Sequence, residues 1–197
     1  MIAILDYGAG NTGSVRKAVK YLGYSAEPAD SPESVEAATK LIFPGQGHFG
    51  TMMKSLHDRR LLEPLRRWLR AGRPFLGICL GLQVLYEGSD EAPDVPGLKI
   101  FCGRVRRFEN VFKVPQVGWN QIEICRESRI LAGIPTGSYA YFCHSYVAPV
   151  MDGSVAVTEY GQKFTSVVEK SALWAVQFHP EKSGDVGVQV LQNFLSL

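Results

Sequence analysis

The sequence predicts an α/β protein, a single three-layer domain over residues 1–197 with a mixed, mainly parallel central sheet and some antiparallel strands in its second half. Three observations predict it. Short apolar runs alternate with helix-like segments through residues 1–83, which implies parallel strands joined by right-handed crossovers. Those runs show no polar alternation, so the sheet must be covered on both faces. In the second half strand-like segments follow one another, with turns at Asp152-Gly153 and Gly161.

The elements follow in order. Ile2 to Leu5 is a short apolar strand ending in Asp6-Tyr7-Gly8-Ala9-Gly10. Asn11 or Thr12 can cap a helix whose Val15, Ala18, Val19 and Leu22 recur at helical spacing, and Gly23 closes it. Tyr24 to Glu27 reads as a second strand. Ser31-Pro32 with Ser34 reads as a helix start, with proline in the first turn. Leu41 to Phe43 is a third strand, ending at Pro44-Gly45-Gln46-Gly47. Helical sequence resumes near Thr51, and Pro64 restarts a helix. Leu65, Trp68 and Leu69 form its apolar stripe, while Arg59, Arg60, Arg66, Arg67 and Arg70 form a solvated face. Gly72 ends it, and Phe75 to Ile78 is a fourth, fully apolar strand. Segments 98–108, 117–125, 138–147, 154–160, 164–170 and 173–178 read as further strands. A last helix starts near Asp185, with Val186, Val190, Leu191 and Phe194 inward.

Composition removes several function classes. The net charge is +2 and the arginines do not gather into one tract, so nucleic acid is not an expected partner. No apolar run reaches membrane-span length, and the N-terminus lacks the features of a signal peptide, so the cytoplasm is the expected compartment and no membrane association is expected. Histidines and carboxylates do not cluster as metal ligands, and no cofactor motif is present, so neither metal nor cofactor is expected. Cys79, Cys102, Cys125 and Cys143 lie far apart without a C-x-x-C pair. Each is therefore a core filler or a nucleophile, and three of the four are expected to be filler.

Three segments carry chemistry. In Gly77-Ile78-Cys79-Leu80-Gly81-Leu82-Gln83, a cysteine stands between glycines at a strand-to-helix junction. That elbow is so tight that side chains two positions either side of the nucleophile would clash. It would expose the sulfur at the carboxyl edge of the sheet, at a helix N-terminus that favours thiolate, and aim the Leu80 N–H where an oxyanion forms. Alone, the segment also fits a buried cysteine in a glycine-rich strand end. In Gln177-Phe178-His179-Pro180-Glu181, the histidine can serve as base and the glutamate can fix its tautomer; alone, this is also a surface turn. Pro44-Gly45-Gln46-Gly47 should lie at the same sheet edge, where glycines let N–H groups turn towards a ligand and complete an oxyanion hole. Alone, it is only a turn.

The trio P-G-Q-G, G-I-C-L-G-L-Q and H-P-E, in this order and spacing, resembles the triad (class I) glutamine amidotransferases over essentially the whole chain. The phrases D-Y-G-A-G-N at 6–11, P-G-Q-G-H-F-G at 44–50, V-G-W-N at 117–120, Y-F-C-H-S-Y at 141–146 and Q-F-H-P-E-K-S at 177–183 resemble the branch of that family serving histidine biosynthesis. Thr12-Gly13 departs from the pattern, since relatives often carry a bulkier residue after the asparagine; this touches the first helix, not the triad. The resemblance implies hydrolysis of L-glutamine, with Cys79 forming a glutamyl thioester, His179 shuttling protons and Glu181 orienting it. It also implies that Gln83 and Ser145-Tyr146 contact the amino-acid end of glutamine, with His144 buttressing that loop. His48 is expected near the mouth or in a structural role, and His57 on the surface.

By the same resemblance, the ammonia passes to a separate (β/α)8 cyclase subunit in a heterodimer. The partner would dock over the sheet edge where the catalytic segments end, with Asn11, Trp119, Asn120 and Lys182 as candidate contacts. Trp119 reads equally as core packing. The Pro44–Gly47 backbone is the expected switch, presenting or withdrawing an oxyanion N–H. The alternatives are a glutaminase for another synthase, of the anthranilate or guanylate type, and a stand-alone cysteine hydrolase.

Overall fold

The computed structural model describes residues 1–109 and 113–197. The first half is β1 (Ile2–Leu5), α1 (Thr12–Tyr21), β2 (Ala26–Ala29), α2 (Pro32–Ala37), β3 (Lys40–Gly45), α3 (Phe49–Asp58), α4 (Leu62–Arg70), β4 (Phe75–Cys79) and α5 (Leu80–Gln83). Three short strands follow, β5 (Gly88–Ser89), β6 (Ala92–Pro96) and β7 (Arg104–Arg107). The remainder is β8 (Gln116–Ile124), β9 (Ser138–His144), β10 (Tyr146–Val147), β11 (Ser154–Glu159), β12 (Lys163–Lys170), β13 (Leu173–Val176) and α6 (Gly184–Ser196), with 3-10 turns at Arg129–Leu131 and Pro180–Lys182.

Among the described residues, nine strands form the main sheet in the order β2-β1-β3-β4-β13-β12-β11-β8-β9. From β2 to β13 every pair is parallel, and from β13 to β9 every pair is antiparallel. The mixed sheet expected from the sequence is thus present, with the change of direction at β13. Successive residues of the parallel strands feed opposite cores. Leu5, Leu41, Phe43 and Phe75 pack with Phe49, Met52, Leu56 and Trp68 of α3 and α4 on one side. Ile4, Ile42, Leu76 and Ile78 pack with Val15, Val19, Val190, Leu191 and Phe194 of α1 and α6 on the other. This alternation into two apolar environments explains why the strands read as continuous apolar runs.

Local chemistry sets the helix ends. Ser31 and Ser34 form a reciprocal capping box, with proline in the first turn of α2. The chain leaves α1 and α4 through Gly23 and Gly72, at φ of 84° and 64°. Helix α3 starts at Phe49, two residues earlier than expected, because the His48 side chain accepts from the Gly50 N–H.

Four expectations need correction. The second strand lies at Ala26–Ala29, where edge position tolerates Pro28. The run 98–108 is a strand only at Arg104–Arg107. Residues 98–101 instead fold back on the turn after the elbow, Leu98 N donating to Val84 O and Ile100 N to Leu85 O, while Phe101 packs on Tyr86. The run 138–147 breaks at Ser145, and β10 leaves for a separate four-stranded sheet, β10-β7-β5-β6, that the sequence did not announce. The helix after Cys79 is a single turn, so its dipole offers a thiolate little.

Candidate active site

The elbow is built by steric necessity. Cys79 ends β4 with φ 55° and ψ −109°, a conformation that costs a non-glycine residue energy and lifts its side chain out of the strand's alternation. The turn closes only because three α-carbons lack side chains. A Cβ on Gly81 would collide with the Phe43 carbonyl oxygen, and one on Gly77 would lie 2.5 Å from Gly81 O. A Cβ on Gly45 would strike Gly81 N. The spacing G-x-C-x-G therefore belongs to the elbow, and Gly45 is the spacer that lets β3 lie beside it, in register with Cys79.

The candidate base arrives on the neighbouring strand. β13 pairs with β4 in parallel, Val176 opposite Ile78, so the residues following each strand share one sheet edge. His179 Nδ1 donates to Glu181 Oε1 at 3.0 Å, both side chains being almost wholly buried, and the other ring nitrogen is left to share a hydrogen bond with the Cys79 thiol. The histidine backbone is pinned from β9: His179 N donates to Tyr141 O at 2.9 Å, and Ser183 Oγ accepts from Tyr141 N while donating to His179 O at 2.7 Å.

Electrostatics favour a charged pair. Burial opposes protonation of His179, but the hydrogen bonds and charges of Cys79 and Glu181 outweigh it and raise the imidazole to about 10. Burial likewise opposes ionisation of Glu181, and its hydrogen bond to His179 wins, holding the carboxyl below its ordinary range. Asn11 Nδ2 donates to the same Glu181 oxygen at 3.0 Å. Asn11 stands at the N-cap position of α1 without capping it; its amide serves the carboxylate instead.

A cavity of about 260 Å³ opens over the thiol. Of the residues expected to act, Cys79, His179, Gln46, Gly47, Leu80, Gln83, His144, Ser145, Tyr146 and Lys182 all line it. Gly45 does not; it packs behind the elbow. The Leu80 N–H opens the single-turn helix and has no acceptor within it. The Gln46 N–H, by contrast, is turned towards the Tyr7 hydroxyl at 3.1 Å. Gln83 is buried, its Nε2 donating to Tyr146 O at 3.0 Å and to Gln177 Oε1 at 3.1 Å. His144 is a neutral buttress: Nδ1 donates to Tyr146 O at 2.9 Å, the ring packs among Phe108, Phe142 and Phe164, and burial pushes it down to about 4.

Two contributors carried no sequence signal of their own. Gln177 Nε2 donates to Cys79 Sγ at 3.5 Å, completing a chain from Tyr146 O through Gln83 to the sulfur. Glu91 lines the cavity from the β5–β6 turn, its Oε2 accepting from Phe49 N at 2.7 Å. Only its place in the fold brings it there. The three other cysteines are not core filler, as expected, but exposed. Cys143 points off the open face of β9 into the cavity wall, while Cys102 and Cys125 lie just beyond strand ends.

Trp119 is 54% exposed, so it is not core packing; it meets Tyr141 edge-on at 6.1 Å, with Lys182 Nζ 5.8 Å from the same ring. Asn120 braces β8, its Nδ2 donating to Glu159 O. A larger depression of about 750 Å³ near Ile124–Ile134 has no histidine among its lining residues.

A positive-φ cysteine elbow facing a buried His-Glu pair across an α/β sheet edge is the arrangement that a cysteine-nucleophile hydrolase requires. The profile of the family described as glutamine amidotransferase class-I matches residues 3–197, and the chain belongs to that family. Its relatives include proteins named imidazole glycerol phosphate synthase subunit HisH. The one from Syntrophotalea carbinolica is 46% identical, with 98% of each chain covered. That from Thermococcus kodakarensis is 45% identical, with 100% of each covered. In fold, the chain is similar to a structure titled crystal structure of glutamine amidotransferase, with TM-score 0.77, 22% identity, and 99% and 97% of the two chains covered.

Proposed function

We propose that this chain is the glutamine-hydrolysing subunit of an imidazole glycerol phosphate synthase, acting in histidine biosynthesis. The observation that carries the chemistry is the Cys79–His179–Glu181 alignment at the cavity floor. The observation that carries the pathway is full-length identity of about 45% to subunits of that name.

Glutamine enters with its carboxamide over Cys79. The Gln83 side chain, the Ser145-Tyr146 segment and the Glu91 carboxylate supply polar groups for the zwitterionic end. Cys79 sulfur attacks the carboxamide carbon, forming a C–S bond and moving the carbonyl electron pair onto oxygen. Leu80 N–H, with a second amide from Gln46 or Gly47, stabilises that oxyanion. His179 gives its proton to the amide nitrogen, the C–N bond breaks, and ammonia leaves a glutamyl thioester. His179 then takes a proton from water as the water oxygen attacks the thioester. The C–S bond breaks, glutamate departs, and the proton returns to sulfur. Glu181, with Asn11 behind it, holds the imidazole in the tautomer both steps need.

The ammonia goes to a cyclase subunit of (β/α)8 fold in a heterodimer, docked over the sheet edge and met by Asn11, Trp119, Asn120 and Lys182. Lys182 follows Glu181 directly, so a carboxylate on the partner can act on the triad through it. The test uses the complex with the cyclase subunit. Cys79→Ala should abolish glutamine-dependent product formation and leave formation from added ammonium salts intact. Normal glutamine turnover by that variant would end the nucleophile assignment. Failure of the cyclase complex to form product from either nitrogen source would end the pathway assignment.

A further inference from the structure

Gln177 stands just past β13, outside the triad. It is fully buried, and its backbone is pinned where Gln177 N donates to Ser166 O at 2.8 Å. An apolar side chain of the same length would fill that position without desolvating an amide, so the fold alone gives no reason for a polar one. Its two amide atoms face two functional groups. Nε2 donates to Cys79 Sγ at 3.5 Å, and Oε1 accepts from Gln83 Nε2 at 3.1 Å.

The bonding pattern fixes which way both amides point. Gln83 Nε2 gives one proton to Tyr146 O at 3.0 Å and the other to Gln177 Oε1, so the Gln83 oxygen is the atom left for the cavity. Turning Gln83 over would set its oxygen against Tyr146 O. Turning Gln177 over would set nitrogen against nitrogen and a carbonyl against the sulfur. The sulfur also meets the His179 ring and, at 3.9 Å, the Cys143 carbonyl, which accepts from the thiol. Once the thiol proton is gone that carbonyl has nothing to accept, and the Gln177 N–H joins the imidazolium in holding the anion. We propose that Gln177 is a further catalytic residue: its N–H stabilises the Cys79 sulfur anion, while its carbonyl holds the Gln83 oxygen towards the ammonium group of the substrate. One buried side chain thus ties the nucleophile to the substrate's seat. This rests on the glutaminase reading above.

Two variants separate the two arms, each assayed in the complex with the cyclase subunit. Gln177→Met keeps the length and removes both bonds. Gln177→Glu keeps an oxygen for Gln83 and puts a second oxygen where the sulfur had its donor. Gln177→Met should lower kcat about tenfold, the low end for a bond to a charged group, and raise KM for glutamine about threefold. Gln177→Glu should lower kcat about as much while KM stays within about twofold. A side chain that only packs would leave the sulfur's chemistry alone, so the pH profile of Cys79 alkylation by iodoacetamide is measured on the free chain, by mass spectrometry of the Cys79 peptide. In Gln177→Met its midpoint should move up by about one pH unit. An unmoved midpoint, an unchanged kcat, or a KM that Gln177→Met leaves in place overturns the proposal. Should neither variant fold, the side-chain amide resonance of Gln177 in the wild type decides: it should shift over the same pH interval as the alkylation, and an unmoved resonance overturns the proposal. Absence of glutamine turnover by the wild-type complex would instead count against the glutaminase reading, on which the alkylation profile does not depend.

Discussion

At the scale of single residues, the site is a set of titratable groups whose surroundings push them in opposite directions. His144 and His179 both lie in the cavity wall, yet burial among three phenylalanines holds the first down to about 4, and the thiol and carboxylate hold the second up to about 10. For His144 the folded pKa lies below the unfolded 6.5. Between pH 6.5 and 4 only the unfolded chain gains that proton, and stability falls as pH drops, by up to about 3 kcal/mol. For His179 the folded pKa is raised, so its contribution is complete below pH 6.5 and is lost as pH rises towards about 10. Glu181 is depressed, so its contribution holds above its unfolded pKa of about 4.5 and is lost at lower pH. Stability should therefore peak near pH 6.5. In urea titrations across pH, His144→Gln should flatten the slope between 6.5 and 4, and an unchanged slope would show that His144 protonates freely in the native state.

At the scale of elements, β4 and its one-turn helix matter most. Gly81→Ala should cost about 3 kcal/mol or more, because its methyl group would overlap the backbone of β3, which cannot yield as a side chain can. Gly13→Ala is the matched control: it lies within α1, with open space at its Cβ position, and should add about 0.5–1 kcal/mol. Thermal melts of the two variants should move in opposite directions, and a Gly81→Ala melt at the wild-type temperature would contradict the elbow's geometry. This element also marks what the sequence could and could not disclose. The elbow, the placing of His179-Pro180-Glu181 beside it and the parallel strands were legible because steric need writes glycines and apolar runs into the chain at fixed offsets. The sheet of β5, β6, β7 and β10 was not, since its strands of two to five residues are too short to show a period. Glu91 and Gln177 were not legible as contributors because their roles depend on which loops meet. Cys143 was misjudged as filler because an open sheet face and a buried one read alike within a single strand.

At the scale of the whole molecule, the sheet divides its labour. The parallel strands from β1 to β13 end at the chemistry, while β8 and β9 carry an exposed aromatic ridge beside it. Val117, Trp119 and Tyr139 are each more than half exposed, and Lys182 leans over Tyr141 at the cavity rim. The proposed docking face predicts that Trp119→Ala weakens association with the cyclase subunit about thirtyfold, about 2 kcal/mol for a central aromatic anchor. Calorimetric titration measures this directly, and an unaltered Kd would move the interface elsewhere.

The position of β13 has a consequence for how the protein is made. It follows the other twelve described strands in the chain, yet it stands fifth of nine in the sheet, flanked by β4 and β12. A nascent chain that has extruded only through β12 has two sheet halves and no strand to join them. Its cysteine has left the ribosome, but the histidine and glutamate 100 and 102 positions later in the sequence have not. Contacts so distant along the chain form late in folding. Biosynthesis itself thus imposes an order: the cysteine is made first, and the histidine and glutamate proposed to arm it emerge about a hundred residues later.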